Sequence, residues 1–295
     1  MLFFSREKSS EKAVLWHNNP MAISQLTTPF KFSQSSLQDY HDCPRRFQLR
    51  YIEQLAWPAV ESEPTQDYEQ HQIEGSLFHR MAQQQIIGVP ADKIGALAQS
   101  ENLSRWWEAY VQYAPNLSGY TLYPEHSLSA PLGSDRIVAK FDLIAVKPGE
   151  KAMIYDWKTY RKRPKNEYLA TRWQTRVYLA LLRQAGLRLN GNEKILPEQI
   201  EMIYWFANFP HQPAIFKYND AKFQRDWDSL VKAVEEINAA KDFPMAEDEH
   251  ACRFCSFRSY CDRGKEAGNW DEFDGEAEGE ESFMIDFEQI GEIAF

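Results

Sequence analysis

The segment Ile154-Tyr155-Asp156-Trp157-Lys158 ends an apolar run with a carboxylate and an ammonium. In a strand, residues two apart face the same side, so Asp156 and Lys158 project together, opposite Tyr155 and Trp157. Asp142 lies on the preceding apolar stretch. A turn centred on Gly149 pairs residues whose numbers sum to about 298, which sets Asp142 across from Asp156. Two carboxylates so placed repel each other unless a cation sits between them. Hard oxygen ligands with room for water suit magnesium or manganese. A neighbouring ammonium can hold or help to deprotonate an attacking water and offset charge on a phosphate. Spacing alone also allows a surface hairpin with an ordinary Asp-Lys pair.

A second constellation is the cysteine set. Cys252, Cys255 and Cys261 form a C-x2-C-x5-C run, and the one other cysteine, Cys43, stands before Pro44 more than 200 residues earlier. In an intracellular chain such cysteines read as metal ligands or thiols before disulfides. Their spacing by itself favours tetrahedral zinc.

The elements that must position these groups follow from periodicity. Ser33 caps a helix that runs to Cys43-Pro44, where a second short helix begins. Residues 57–72 read as a polar loop. Helical spacing resumes at 73–88, with Leu77, Met81 and Ile86 on one face, and again at 103–114. Residues 119–132 have strand character, and the hairpin around Pro148-Gly149 is the strongest strand signal. Residues 168–186 read as an amphipathic helix ended by Gly186, 199–208 as a strand and 221–243 as a long helix. This order predicts an α/β fold, a mixed sheet flanked by helices.

The chain has 295 residues and 43% hydrophobic content, enough for one large domain or two small ones. No apolar run approaches the roughly 18 residues of a membrane span. The first residues are too short an apolar block, and too early acidic, for a signal peptide. These features predict a cytoplasmic protein without membrane contact. Residues 1–30 read as an N-terminal extension, with Met21 a better start for the chain. The formal charge of −10 argues against nucleic acid at first sight, but residues 266–295 alone carry 11 acids and no Lys or Arg. The remainder is close to neutral, and its basic residues gather at 44–50 and 158–165. The acidic tail reads as disordered. Its interleaved Phe and Ile residues suit folding on a partner, or lying in the protein's own basic groove.

Asp142, then Asp156-Trp157-Lys158 across a hairpin, then Gln174 and Tyr178 on the next helix resembles the RecB family of PD-(D/E)XK nucleases. Gly75 and His79 in GSLFHRM match that family's upstream Gly-x-x-x-His element. Glu125 corresponds to an acidic residue on its first core strand. Where many relatives carry Gly just before the first Asp, this chain has Ala139-Lys140-Phe141. The resemblance covers residues 33 to 263 and implies a restriction-endonuclease-like domain over 31–265. It makes Asp142 and Asp156 ligands of Mg2+ or Mn2+, His79 an additional ligand and Lys158 the catalytic lysine. Gln174 and Tyr178 orient Lys158 and the nucleic-acid backbone. Taken alone, His79 would be an ordinary helix histidine, and Gln174 and Tyr178 a core edge.

One early Cys-Pro and a late C-x2-C-x5-C bracketing these motifs are similar to the iron-sulfur nucleases, the AddB nuclease domain and the CRISPR-associated RecB-type exonucleases. That likeness implies a 4Fe-4S cluster on Cys43, Cys252, Cys255 and Cys261, with Zn2+ the alternative. The cluster would staple the N- and C-terminal segments together. Arg45, Arg46, Arg253 and Arg258 would then line a track for single-stranded DNA, with Phe47, Phe254 and Phe257 either stacking bases or packing the cluster. The implied activity is DNA cleavage, as an exonuclease on single strands or duplex ends in repair, recombination or CRISPR adaptation. No Walker phosphate loop occurs, so a helicase or a repair or CRISPR protein in trans is the implied partner. The other classes are a non-catalytic nucleic-acid module and a zinc-stapled protein-interaction domain.

Overall fold

The computed structural model describes residues 26, 29–55, 63–253 and 255–263, with the backbone alone for 63–69. The expectations about residues 1–25, Phe254 and the tail from 266 to 295 lie outside the described residues. The chain opens with β1 (Lys31–Phe32) and α1 (Gln34–Asp42). Ser33 caps α1 reciprocally: its hydroxyl accepts the Ser36 N–H, and the Ser36 hydroxyl accepts the Ser33 N–H. Pro44 starts α2 (Pro44–Phe47) where its missing N–H costs nothing. There follow α3 (Glu63–Ile86), α4 (Ala91–Gly95) and α5 (Glu101–Tyr113). Three strands come next: β2 (Thr121–Leu132), β3 (Asp135–Lys147) and β4 (Lys151–Lys158). The chain continues through α6 (Asn166–Thr171), α7 (Trp173–Ala185), β5 (Ile200–Phe206), β6 (Ala214–Lys217) and α8 (Asp220–Ala239).

The six strands form one mixed sheet organised on β3. One edge of β3 pairs antiparallel with β2 along nearly its whole length. The other edge is shared: β1 runs parallel to it at Arg136 and Ile137, and β4 antiparallel from Leu143 to Lys147. Between those two partners, residues 138–142 have no strand on that edge among the described residues. β4 then pairs parallel with β5, and β5 antiparallel with β6. Gly149 makes the β3–β4 turn at φ +74°, a conformation that side chains rarely adopt. The turn is held from outside, since Gly149 N–H donates to Asn190 Oδ1 and Gly149 C=O accepts from Gln199 Nε2.

Each face of the sheet carries its own core. On one, Ile154, Met202, Tyr204 and Phe206 pack with α7 and α8; on the other, Met153, Tyr155, Trp157 and Trp205 pack with α3 and α5. Along β3 the alternation breaks. Ile137, Ala139 and Phe141 belong to the first core, yet Leu143 and Ala145 belong to the second. The switch falls at Asp142, beside Glu125 of β2, whose backbone is left-handed at φ +51°. A strained non-glycine residue therefore sits where the strand changes face, next to the first motif carboxylate.

Three expectations need correction. The polar stretch 63–72 is helix, not loop: Pro64 falls in the first turn, where Pro is tolerated, and no other breaker follows until Gly75. The helix expected at 168–186 is broken at Arg172, which is extended at ψ 144°. There, Thr175 Oγ1 donates to Leu169 C=O, and the first N–H of α7, from Trp173, is accepted by the Gln38 side chain from α1. The long C-terminal helix stops at Ala239, four residues early. Among the described residues no helix is long and apolar enough to cross a membrane.

Candidate active site

Asp156 lies two residues before the end of β4 and is 2% exposed. Its Oδ1 accepts from Gln174 Nε2 at 2.8 Å, and its Oδ2 lies 2.9 Å from Lys158 Nζ, although off the line of a good hydrogen bond. Burial pushes its carboxyl up to about 7; the Asp142 charge adds to the rise and the Lys158 ammonium opposes it. Asp142 shifts the other way. Burial works against its charge, but His79, the Trp157 N–H and Lys158 outweigh that and hold it below the usual carboxylate range. Its Oδ2 accepts the Trp157 N–H at 2.7 Å, and its Oδ1 stands 3.3 Å from His79 Nδ1. The carboxylate thus takes a β4 N–H at the point where the β3–β4 ladder ends.

Lys158 stays firmly protonated: burial disfavours its charge, but Asp156 and the electron-rich Tyr160 and Tyr204 overcome it. The two rings lie 5.5 and 5.6 Å from Nζ. His79 reaches the site because α3 packs close to the end of β4. A Cβ on Gly75, one turn before His79, would come within 3.1 Å of Thr159 Oγ1. Gln174 sits in the first turn of α7, and its Oε1 accepts from Tyr204 at 3.3 Å. Tyr178, one turn on, donates to Lys140 C=O at 2.8 Å, filling part of the gap in the β3 edge. Glu125 pairs with Lys140 and is pushed upward by burial, with the Asp142 charge adding to the rise.

All the residues expected at the site converge, and Tyr204 joins them unanticipated. It pairs in parallel register with Asp156 and ties Gln174 to Thr175. In the sequence it reads as one more core residue of an apolar strand; only the β4–β5 pairing reveals it.

The four cysteines also come together, as thiols around one pocket with Arg46, Leu49, Met245, Phe257 and Arg258. Burial pushes the thiols of Cys252, Cys255 and Cys261 upward. Cys43 Sγ accepts the Ala246 N–H at 3.4 Å. The arginines expected to form a track there are engaged within the protein. Arg46 meets Asp39 at 2.7 Å and Asp42 at 3.0 Å, and Arg45 meets Gln48 and Glu53. Phe47 and Phe257 are buried, Phe47 stacked against Phe243.

Among the described residues no group of three or more His, Cys, Asp or Glu is placed to hold a metal ion. The donor sets nonetheless fit. Two buried carboxylates, one pushed up by burial and by the other's charge, are the hard oxygens a divalent cation neutralises; Lys158 Nζ stands 2.9 Å from Asp156 and His79 Nδ1 3.3 Å from Asp142. Four thiols on one pocket fit either zinc or an iron-sulfur cluster.

The sequence profile of the PD-(D/E)XK nuclease superfamily matches residues 31–262. No curated protein sequence matches the chain. Among solved structures it is similar to the crystal structure of SSO0001, at 14% identity over 78% of this chain and 85% of that one, with a TM-score of 0.37. A presumed exonuclease from Eubacterium rectale shares 11% identity over 82% of this chain and 91% of its own, with a TM-score of 0.43. With the profile covering β1 through the last cysteine, the chain belongs to the PD-(D/E)XK nuclease superfamily.

Proposed function

We propose that the chain is a metal-dependent deoxyribonuclease that hydrolyses phosphodiester bonds of single-stranded DNA or duplex ends as an exonuclease. The observation that carries this reading is the joining of Asp142, Asp156 and Lys158 on one buried face beside the gap in β3. Asp142, Asp156 and His79 would hold Mg2+ or Mn2+, whose Lewis acidity would polarise the phosphate and lower the pKa of a bound water. Lys158 offsets negative charge that grows on the phosphoryl oxygens. Gln174 holds Asp156 in one orientation, Tyr204 fixes the Gln174 amide, and Tyr178 keeps α7 against the β3 edge. Cys43, Cys252, Cys255 and Cys261 would hold a 4Fe-4S cluster, or zinc, as a structural centre. DNA is the substrate class, with a helicase, repair or CRISPR-adaptation protein delivering it.

A second reading, a nucleic-acid module without catalysis, draws on one observation: each carboxylate already has a nitrogen partner within the chain, His79 at Asp142 and Lys158 at Asp156. Incubation of anaerobically purified protein with end-labelled single- and double-stranded DNA separates the two. The nuclease reading expects cleavage that needs Mg2+ or Mn2+ and disappears with chelator. Binding without cleavage under either metal would establish the module instead.

A further inference from the structure

From Lys158 to Arg172 the chain carries six basic residues and one acid, Glu167. A basic run of this kind is commonly a mobile, solvated loop. Here it is built. Asn208 Nδ2 donates to the carbonyls of Thr159 (3.2 Å) and Tyr160 (2.8 Å), and His71 Nε2 lies 3.0 Å from the Thr159 carbonyl. Arg163 acts as a rivet: Nε donates to Gln212 C=O (2.7 Å), Nη1 to Pro164 C=O (3.0 Å) and Nη2 to Asn166 Oδ1 (2.7 Å), with its guanidinium 5.2 Å from the Phe206 ring centre. Arg163 thus fixes the backbone on which its exposed neighbours stand. Arg161, Lys162 and Lys165 are exposed, and Tyr168 is exposed beyond them, with the Arg172 guanidinium 5.4 Å from its ring centre.

We propose that residues 161–172 form the ledge along which single-stranded DNA approaches the catalytic face. Arg161, Lys162 and Lys165 contact successive phosphates, and the Tyr168 ring stacks a base. This deepens the nuclease reading and rests on it. It also differs from the track expected beside the cysteine pocket, where Arg46 is tied to Asp39 and Asp42 and Arg45 to Glu53. The ledge starts three residues from Lys158, so a strand bound there leads directly to the carboxylates. A backbone that is already fixed loses little freedom on binding, and exposed rings stack bases of any sequence.

The test is fluorescence-anisotropy binding of an oligothymidylate of about 20 nucleotides, longer than one such site, to the full chain in chelator over a series of salt concentrations. Replacing Arg161, Lys162 and Lys165 together by Ala is expected to flatten the log K against log salt slope by about 2, at roughly 0.7 per phosphate contact. Arg45→Ala is expected to leave the slope unchanged. Tyr168→Ala is expected to weaken oligothymidylate binding at least fivefold, while leaving heparin binding as it was. The replaced side chains are exposed, so unchanged thermal melting verifies the fold. An unchanged slope in the triple variant, no binding by the native chain, or equal loss of heparin binding in Tyr168→Ala would overturn the ledge. Metal-dependent cleavage with an unchanged slope removes the ledge and spares the nuclease reading. The expected loss of slope without cleavage under Mg2+ or Mn2+ does the reverse.

Discussion

Gln174 and Asp156 are joined by a 2.8 Å hydrogen bond from Nε2 to Oδ1, and the same amide accepts from Tyr204 on its other end. The amide cannot flip without losing both contacts, so α7 holds one oxygen of Asp156 while the other faces Lys158. Gln174→Ala is therefore expected to weaken Mn2+ binding by about 10- to 100-fold, as loss of a partner that orients a metal ligand does. Titration followed by electron paramagnetic resonance measures it. Affinity within twofold of the native chain would show that Asp156 needs no such support.

Lys158→Ala is expected to lower cleavage by about 10²- to 10³-fold, equivalent to roughly 3 to 4 kcal/mol of transition-state stabilisation. Circular dichroism and the cysteine-site metal content should stay as they are. Asp142→Ala and Asp156→Ala should lose metal binding as well as cleavage. Turnover by Lys158→Ala within threefold of native, at saturating metal, would remove the lysine from the chemistry.

His71 supplies a stability switch away from the carboxylates. Burial holds its imidazole below the ordinary value, helped by the charges of Arg161 and Arg105 and opposed by the Thr159 carbonyl and Glu74; the Trp106 ring packs edge-on at 5.2 Å. A lowered folded-state pKa means that the unfolded chain binds the proton more readily. The contribution to stability is thus full above the unfolded value, near 6.5, and is lost as pH falls through the folded one. Urea unfolding at pH 7.5 and 5.5 is expected to show a larger drop for the native chain than for His71→Gln. Equal drops would mean that His71 is not the group responsible.

Cys43→Ala removes the acceptor of the Ala246 N–H and one of the four thiols. Phe47 still stacks on Phe243, and Arg45 N–H still reaches Pro244 C=O at 3.0 Å, so the metal-free chain should lose only about 1 to 3 kcal/mol. Anaerobic native protein is expected to be brown with broad visible absorption, and the variant colourless and destabilised throughout. A colourless native preparation with one zinc and no iron would decide for zinc.

The sequence was most legible where local chemistry decides. Ser33 announced a cap, Gly149 a turn, and the 298 register placed Asp142 opposite Asp156, as the Leu143–Tyr155 pairing bears out. It was least legible where long-range pairing decides. β1 has two residues and β6 four, too few for a periodic signal, and the break at Arg172 leaves the Trp173 N–H to Gln38, 135 residues away in the chain. Tyr204 belongs to the site only through parallel pairing with Asp156, which no local pattern encodes. The arginines near Cys43 look exposed in the sequence because their acidic partners, Asp39 and Asp42, read as ordinary surface residues of a helix.

The cysteine pocket also sets a clock for synthesis. Cys43 precedes Cys261 by 218 residues. At roughly 5 to 20 residues per second, the first thiol emerges on the order of 10 to 40 s before the last. The N-terminal helices and the whole sheet can collapse within that interval, but the last of the four thiols follows the first by 218 residues. Cys43 spends that time as an unaccompanied thiol, open to oxidation or to stray metal. Oxygen exposure during translation should therefore damage this protein more than the same exposure after folding.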